Sequence, residues 1–289
     1  MRPDQANDLR KLVLNAVRQA GPSDAAPPRT IVVAGGKGGV GTTTIAVRLA
    51  TALARDGRRA VLVDANLAGP DVAQLCGIDD AYGMAEVLAG TRTVHEVLER
   101  GPLGVQVLPA ARGKTDPAEC TPQTLERLFT QLGGLGAHAD FVIVDAGCGN
   151  GRVMRRFWEA ADAVLLVTHP DSVAVMDAYA LVKLVCGDDP PRAAILALAN
   201  CVTEAATADD VQVRLDRACR RFLGFEILSA GHVPFDPCVP RAAAEQPLLA
   251  DVDGVAAVAF ERLAYELSRQ LDDLAESTAR FTTAKTSLV

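Results

Sequence analysis

The chain has 289 residues, 49% of them hydrophobic and 4% aromatic, with a formal net charge of −7. It is long enough to bury a sizeable core, which must be built mainly from Ala, Val and Leu. The acidic balance argues against a general nucleic-acid binder, because neutralising phosphates needs clustered Lys and Arg. Seven scattered cysteines form no C-x-x-C pair, and the four histidines stand apart. That excludes the usual zinc, redox and metal-cluster motifs and fits reduced thiols in a cytoplasm. No apolar run reaches the roughly 20 residues of a membrane helix, and the N-terminus is too polar for a signal peptide. A soluble cytoplasmic protein is expected.

In chain order, residues 1–20 read as an amphipathic helix, with Leu9, Val13, Ala16, Val17 and Ala20 at helical spacing. Gly21, Pro22, Pro27 and Pro28 then make residues 21–29 a linker. The helix is expected to be tethered to the main domain, residues 30–280, rather than built into it; 281–289 read as a tail. Within the domain "TIVVAG", "AVLVDA", "VQVLPA", "FVIVDA", "AVLLVTHP" and "AAILALANCV" are continuous apolar runs, as in strands buried on both faces. Helical segments are expected between them, following Thr42 and near 84–98, 122–133, 152–160, 174–186 and 208–223. The alternation predicts βαβ units: an α/β fold with a mostly parallel sheet and helices on both faces. A last helix is expected from about Val252 to Arg280, with Phe260, Leu263, Ala264, Leu267, Leu271 and Leu274 as its apolar stripe. It lacks the basic face that anionic lipid favours, so it reads as a helix packed on the domain, with membrane association as the alternative.

The chemistry concentrates in Gly36-Lys37-Gly38-Gly39-Val40-Gly41-Thr42-Thr43-Thr44, between the first strand and its helix. Glycines let backbone N–H groups wrap a phosphate, and the helix start adds its positive end. Thr43 stands where a hydroxyl would ligate Mg²⁺. Asp64 and Asp145 each end an apolar strand, the usual place for carboxylates that hold Mg²⁺ and its waters.

This set resembles the MinD/ParA group of deviant-Walker P-loop ATPases (SIMIBI class) over nearly the whole chain. "TTTIAVRLATALARDGRRAVLVDANL", "VTHPDSVAVMDAYALVK" and "GHVPFDPCVPRAAAEQPLL" are similar to the group's successive segments. "DQANDLR", Asp4 to Arg10, resembles the D-Q-A-x-x-L-R activator motif of the flagellar-number regulators (FlhG, FleN or YlxH), and "DAYALVK" is similar to the same subgroup. The resemblance implies ATP/ADP and Mg²⁺ as cofactors and a nucleotide-dependent homodimer. It implies Lys37 as the signature lysine that reaches into the partner's site, and Asp64 as a switch aspartate. Asn200 would read adenine, and Pro234 and Asp236 would line the adenine slot. Asp4, Gln5, Ala6, Leu9 and Arg10 would contact a signal-recognition-type flagellar GTPase (FlhF-like). Such relatives often end in a membrane-targeting helix, which implies peripheral association with the inner face of the membrane.

Three departures stand against the family pattern. The loop lysine is replaced by Thr42; a charge-assisted hydrogen bond contributes roughly 1.5–3 kcal/mol, so nucleotide affinity would drop about 10- to 150-fold. The second switch acid is Asn66, which hydrogen-bonds but cannot take a proton as a base. Cys201 follows Asn200 where the group often has a basic residue. The first two predict slow or absent ATP hydrolysis. The alternative is a pseudo-ATPase scaffold for pilus or secretion machinery, since "GGVGTTT" also occurs in pilus-localising MinD-like proteins. Those usually carry a receiver-like domain ahead of the ATPase fold. DNA partitioning is disfavoured by the acidic charge.

Overall fold

The computed structural model describes residues 26–110, 120–149, 151–187, 191–245 and 254–286. The helix and activator motif expected over residues 1–20, most of the linker and the end of the tail lie outside the described residues. Where the described chain begins, the Ala26 carbonyl rests on Gly136, leaving no room for a Cβ there.

Eight strands form one sheet in the order β3-β4-β2-β5-β1-β6-β7-β8. They are β1 Arg29–Gly35, β2 Ala60–Asp64, β3 Glu99–Arg100, β4 Gln106–Leu108, β5 Phe141–Gly147, β6 Ala163–Thr168, β7 Ala194–Val202 and β8 Leu228–Pro234. All neighbours pair in parallel except the short β3–β4 edge, which is antiparallel. The helices are α1 Thr42–Arg55, α2 Val72–Cys76, α3 Met84–Ala89, α4 Val94–Val97, α5 Pro122–Gly133, α6 Arg152–Ala160, α7 Ser172–Cys186, α8 Ala205–Phe222, α9 Cys238–Glu245 and α10 Val255–Thr286.

Side-chain alternation along the strands builds two cores. Val32, Val61, Val63, Val142, Val144, Val164 and Leu166 face one side, under Met84, Leu125, Leu128, Phe157, Leu181 and Leu215 of α3 and α5–α8. Ile31, Val33, Leu62, Ile143, Leu165 and Leu198 face the other, under Ile45, Leu49 and Leu53 of α1 and Phe260, Leu263, Leu267 and Leu271 of α10. Each such side chain contributes roughly 1.5–3 kcal/mol on burial, which is why the central strands β2, β5 and β6 are apolar up to their carboxyl ends.

The expected mostly parallel sheet is therefore present, and α10 packs on the domain through Phe260, Leu263, Ala264, Leu267 and Leu271 of the predicted stripe. Among the described residues, no helix is long and apolar enough to cross a membrane. The expected single helix over 84–98 is two helices. Gly90 ends α3 with φ 74°, and Thr93 opens α4, where the Glu96 carboxylate takes the Thr93 N–H at 2.8 Å. Strand β8 and helix α2 were not expected: β8 has an irregular burial pattern, and α2 is a single turn. The last helix continues six residues beyond the expected Arg280.

Candidate functional site

The carboxyl ends of β1, β2 and β5 lie side by side, because β5 sits between the other two. Register pairs Asp64 with Asp145, and Asp145 with Val33. Two carboxylates are thus set beneath the glycine-rich turn that follows β1, and both residues are fully buried.

The turn is shaped by close approach. A Cβ on Gly36 would fall inside the backbone of Asp177 and Ala178 in α7. Gly41 takes φ 92° and precedes α1; a Cβ there would stand 2.5 Å from Asn200 Nδ2. Asn200, at the end of β7, donates from Nδ2 to the Val40 carbonyl at 2.9 Å and accepts the Cys201 N–H at 2.9 Å. It braces the turn from behind. The first turn of α1 carries no acidic residue, so its N–H end meets an open cleft of about 460 Å³. Gly38, Gly39, Gly41, Thr42, Thr43 and Thr44 line it from the turn and the start of α1. Asn66, Asp71, Gln74 and Leu75 from the β2–α2 segment, with Gly147 at the end of β5 and Cys148 after it, complete the lining. An N–H-rich helix start facing such a cleft is an anion site.

Burial governs the two carboxylates. Desolvation pushes Asp64 up to about 8, and the Asp145 charge adds to it; the Val72 and Asn66 N–H groups pull the other way. Those two bonds are 3.3 and 3.2 Å. Desolvation raises Asp145 to about 6, opposed by hydrogen bonds from the Thr43 hydroxyl and the Gly147 N–H. Asp145 Oδ2 is buried with no hydrogen-bond partner. A buried oxygen of this kind calls for an unseen partner. Beside the Thr43 hydroxyl it completes an all-oxygen donor set that suits Mg²⁺ with its waters.

The remaining predicted residues fall in three places. Asn66 lines the cleft but donates from Nδ2 to Gly69 O at 2.8 Å, its side chain lying against Gly147. Lys37 turns to the start of α7, with Nζ 3.5 Å from Asp171 Oδ1. Pro234 lies beside Val202 in the β7–β8 register, and Asp236 follows it; its carboxylate takes the N–H of Cys238 at 2.9 Å and of Ala256 at 3.2 Å. Asn200, Pro234 and Asp236 do not line the cleft itself. Asp4, Gln5, Ala6, Leu9 and Arg10 lie outside the described residues. Sequence reasoning missed Asp171, Asp71, Gln74 and Cys148. Asp171 and Asp71 each precede a helix, where an acid reads first as a cap.

A parallel sheet with a glycine-rich anion turn after its central strand and a carboxylate pair below it defines a P-loop nucleotide-binding ATPase fold. A family model described as ParA, NUBPL iron-transfer P-loop NTPase, matches residues 27–108. Antiactivator FleN of Pseudomonas aeruginosa is 34% identical over 220 residues, covering 76% of this chain and 78% of FleN. Flagellum site-determining protein YlxH of Helicobacter pylori is 28% identical, covering 53% of this chain and 52% of YlxH. Among solved structures, the septum site-determining protein MinD of Pyrococcus horikoshii, complexed with Mg-ADP, superposes with a TM-score of 0.66 at 23% identity. It covers 83% of this chain and 96% of that one. The chain belongs to the MinD/ParA-type flagellar-number regulators, the FlhG/FleN/YlxH-like family.

Proposed function

We propose that this chain is a nucleotide-operated switch that controls flagellar number or placement. ATP and ADP bind with Mg²⁺ in the cleft, hydrolysis is slow, and the ATP state is a homodimer. The output runs through Asp4, Gln5, Ala6, Leu9 and Arg10 to a signal-recognition-type GTPase. The observation that carries this reading is the buried Asp64–Asp145 pair under an intact glycine turn. Burying two carboxylates costs several kcal/mol unless something positive meets them, and a phosphate-bound Mg²⁺ would be that partner. When bound, the ion offsets phosphate charge. Thr43 and Asp145 hold it, the turn's N–H groups hold the phosphates, and Asn200 and Pro234 flank the base.

Slow turnover follows from Thr42 and Asn66. Thr42 is buried, its methyl packed towards Gly35, and supplies no charge to the phosphates. Asn66 is an amide tied to its own loop. Calorimetric titration with ATP and Mg²⁺ beside a turnover assay tests this. The parent binds ATP and hydrolyses it slowly; Thr42→Lys combined with Asn66→Asp tightens binding and speeds hydrolysis. No binding by the parent defeats the switch. A double variant no faster than the parent defeats the account of its slowness. For the output, Gln5→Ala in the full chain is expected to lose stimulation of the cognate GTPase while keeping most binding, and Leu9→Asp to lose both. An unstimulated GTPase with the parent protein removes that limb.

A further inference from the structure

Helix α7 runs from the end of the sheet that carries the cleft to the opposite end, because it joins two parallel strands, β6 and β7. Its inner side packs over β1 and β6 through Ala178, Leu181 and Val182. Its outer side is apolar as well. Val173 is 64%, Met176 62% and Leu184 51% exposed, and Ala180 between them is exposed too. The four recur at helical spacing as one outer stripe, and an apolar stripe left open on a helix is a surface for a partner. Where the described chain begins, Ala26 rests on Gly136 in the turn Gly134–Ala137. Leu135 and Ala139, from that turn and just after it, share the core that Leu181 and Val182 enter. Strand β1 then starts at Arg29, at the end of the sheet where α7 stops. Residues 1–25 therefore join the domain on the face of the sheet that α7 covers, and at the end where Leu184 lies.

We propose that residues 9–20 of this same chain dock as a helix along the outer stripe of α7. The first and last of that segment's expected apolar positions, Leu9 and Ala20, are as far apart in sequence as Val173 and Leu184, about 16 Å of helix in each case. Residues 21–25 reach about 17 Å when extended. Strand β5, which Gly136 precedes, lies two strands from β6, so the lateral step to α7 is no more than roughly 10 Å. The segment then runs in the direction of α7, with Ala20 against Leu184 and Leu9 against Val173 at the cleft end. Arg10 and Lys11 follow Leu9 there, and Asp177 flanks the stripe with the opposite charge. A tether of this length holds the segment at an effective concentration on the order of 1 mM, which favours it over a second copy or an outside partner. Leu9 also belongs to the activator motif, and one side chain cannot serve α7 and the GTPase together. Docking thus withholds the activator; that consequence rests on the switch reading above, and the dock itself does not.

The experiment uses the full chain. The photo-crosslinker p-benzoylphenylalanine is placed at Val13, and the crosslinked peptides are identified by mass spectrometry. The expected product is a crosslink within one chain to residues 173–184, Met176 foremost. Trypsin cleavage after Arg10 and Lys11 is timed for the parent, Met176→Glu and Leu184→Glu, both substitutions at exposed positions. Each variant is expected to be cut about 10-fold faster than the parent, with its melting temperature unchanged. With the cognate GTPase, each variant is expected to reach half-maximal stimulation at an about 10-fold lower concentration. Crosslinks elsewhere on the chain overturn the proposal, as do crosslinks only between copies, which make α7 a dimer surface. Equal cleavage of parent and variants overturns it too. Variants that stimulate the GTPase no better than an active parent overturn the withholding of the activator. A GTPase that neither parent nor variant stimulates removes the output limb of the switch reading and leaves the dock to the crosslinks and the protease, a result distinct from these.

Discussion

At the scale of single residues, the cost of building this site is concentrated on Asp64. Its folded-state value, about 8, lies well above the ordinary 3.8 because burial and the Asp145 charge both oppose ionisation. A group raised in this way favours the folded state while protonated. Its contribution is full below the unfolded value near 4 and is lost as pH rises to about 8. Asp64→Asn, neutral at every pH, escapes the loss. In metal-free buffer the variant is expected to melt close to the parent at pH 4 and several degrees above it at pH 8, followed by thermal melts at both pH values. A parent that melts equally well at the two pH values, with no widening gap to the variant, would show that Asp64 carries no such burden. Most of this residue-scale picture was legible in the sequence: an acid ending an all-apolar strand beside a glycine turn is a strong signal. Asp71 and Asp171 were not, because an acid before a helix has a ready explanation as a cap, and only the folded chain shows which carboxylates cap. Asp171 does, accepting the Ala174 N–H at 2.8 Å; Asp71 does not.

At the scale of elements, Asp236 joins parts that the sequence could not relate. The family resemblance placed it at the adenine slot, and the fold gives it a second task. Its carboxylate accepts the N–H of Cys238 at the start of α9 and of Ala256 at the start of α10, and these bonds hold its carboxyl below the usual range. Gly254 lacks the Cβ that would otherwise occupy the carboxylate's place. Bonds from backbone N–H groups to a carboxylate at a helix start are worth about 1–2 kcal/mol each. Asp236→Ala is therefore expected to cost about 2–4 kcal/mol in urea unfolding at pH 7. The penalty shrinks below pH 4, because a depressed acid contributes above its unfolded value and loses that contribution as pH falls through the folded one. An alanine variant as stable as the parent at pH 7 would show that α9 and α10 are held by their apolar contacts alone. The sequence was most readable where strands are continuous apolar runs. It was least readable at β8, where Ser229, Gly231 and His232 interrupt the pattern, and over 84–98, where the break depends on one glycine at positive φ.

At the scale of the whole molecule, the question is what Lys37 does when it leaves the position seen here. Its ion pair with Asp171 is long, at 3.5 Å, with the two side chains 34% and 49% exposed. An exposed pair of this kind contributes between nothing and about 1 kcal/mol, so breaking it costs little. The loop's own lysine position holds Thr42, leaving Lys37 as the cation within the turn itself. If a second copy presents its turn across the cleft, Lys37 of each chain supplies the charge that the other's phosphates lack. Nucleotide binding and dimer formation are then one equilibrium, and apparent ATP affinity must rise with protein concentration by mass action. Sedimentation with ATP and Mg²⁺, beside titrations at two protein concentrations well apart, checks this. The parent is expected to dimerise with ATP and to bind more tightly at the higher concentration. Lys37→Ala is expected to stay monomeric, while Asp171→Asn, which releases the lysine from its own chain, dimerises at least as well. Equal affinity at both concentrations, or an unaltered dimer in Lys37→Ala, would leave the lysine a surface charge on a monomer and separate this chain's switch from dimer formation.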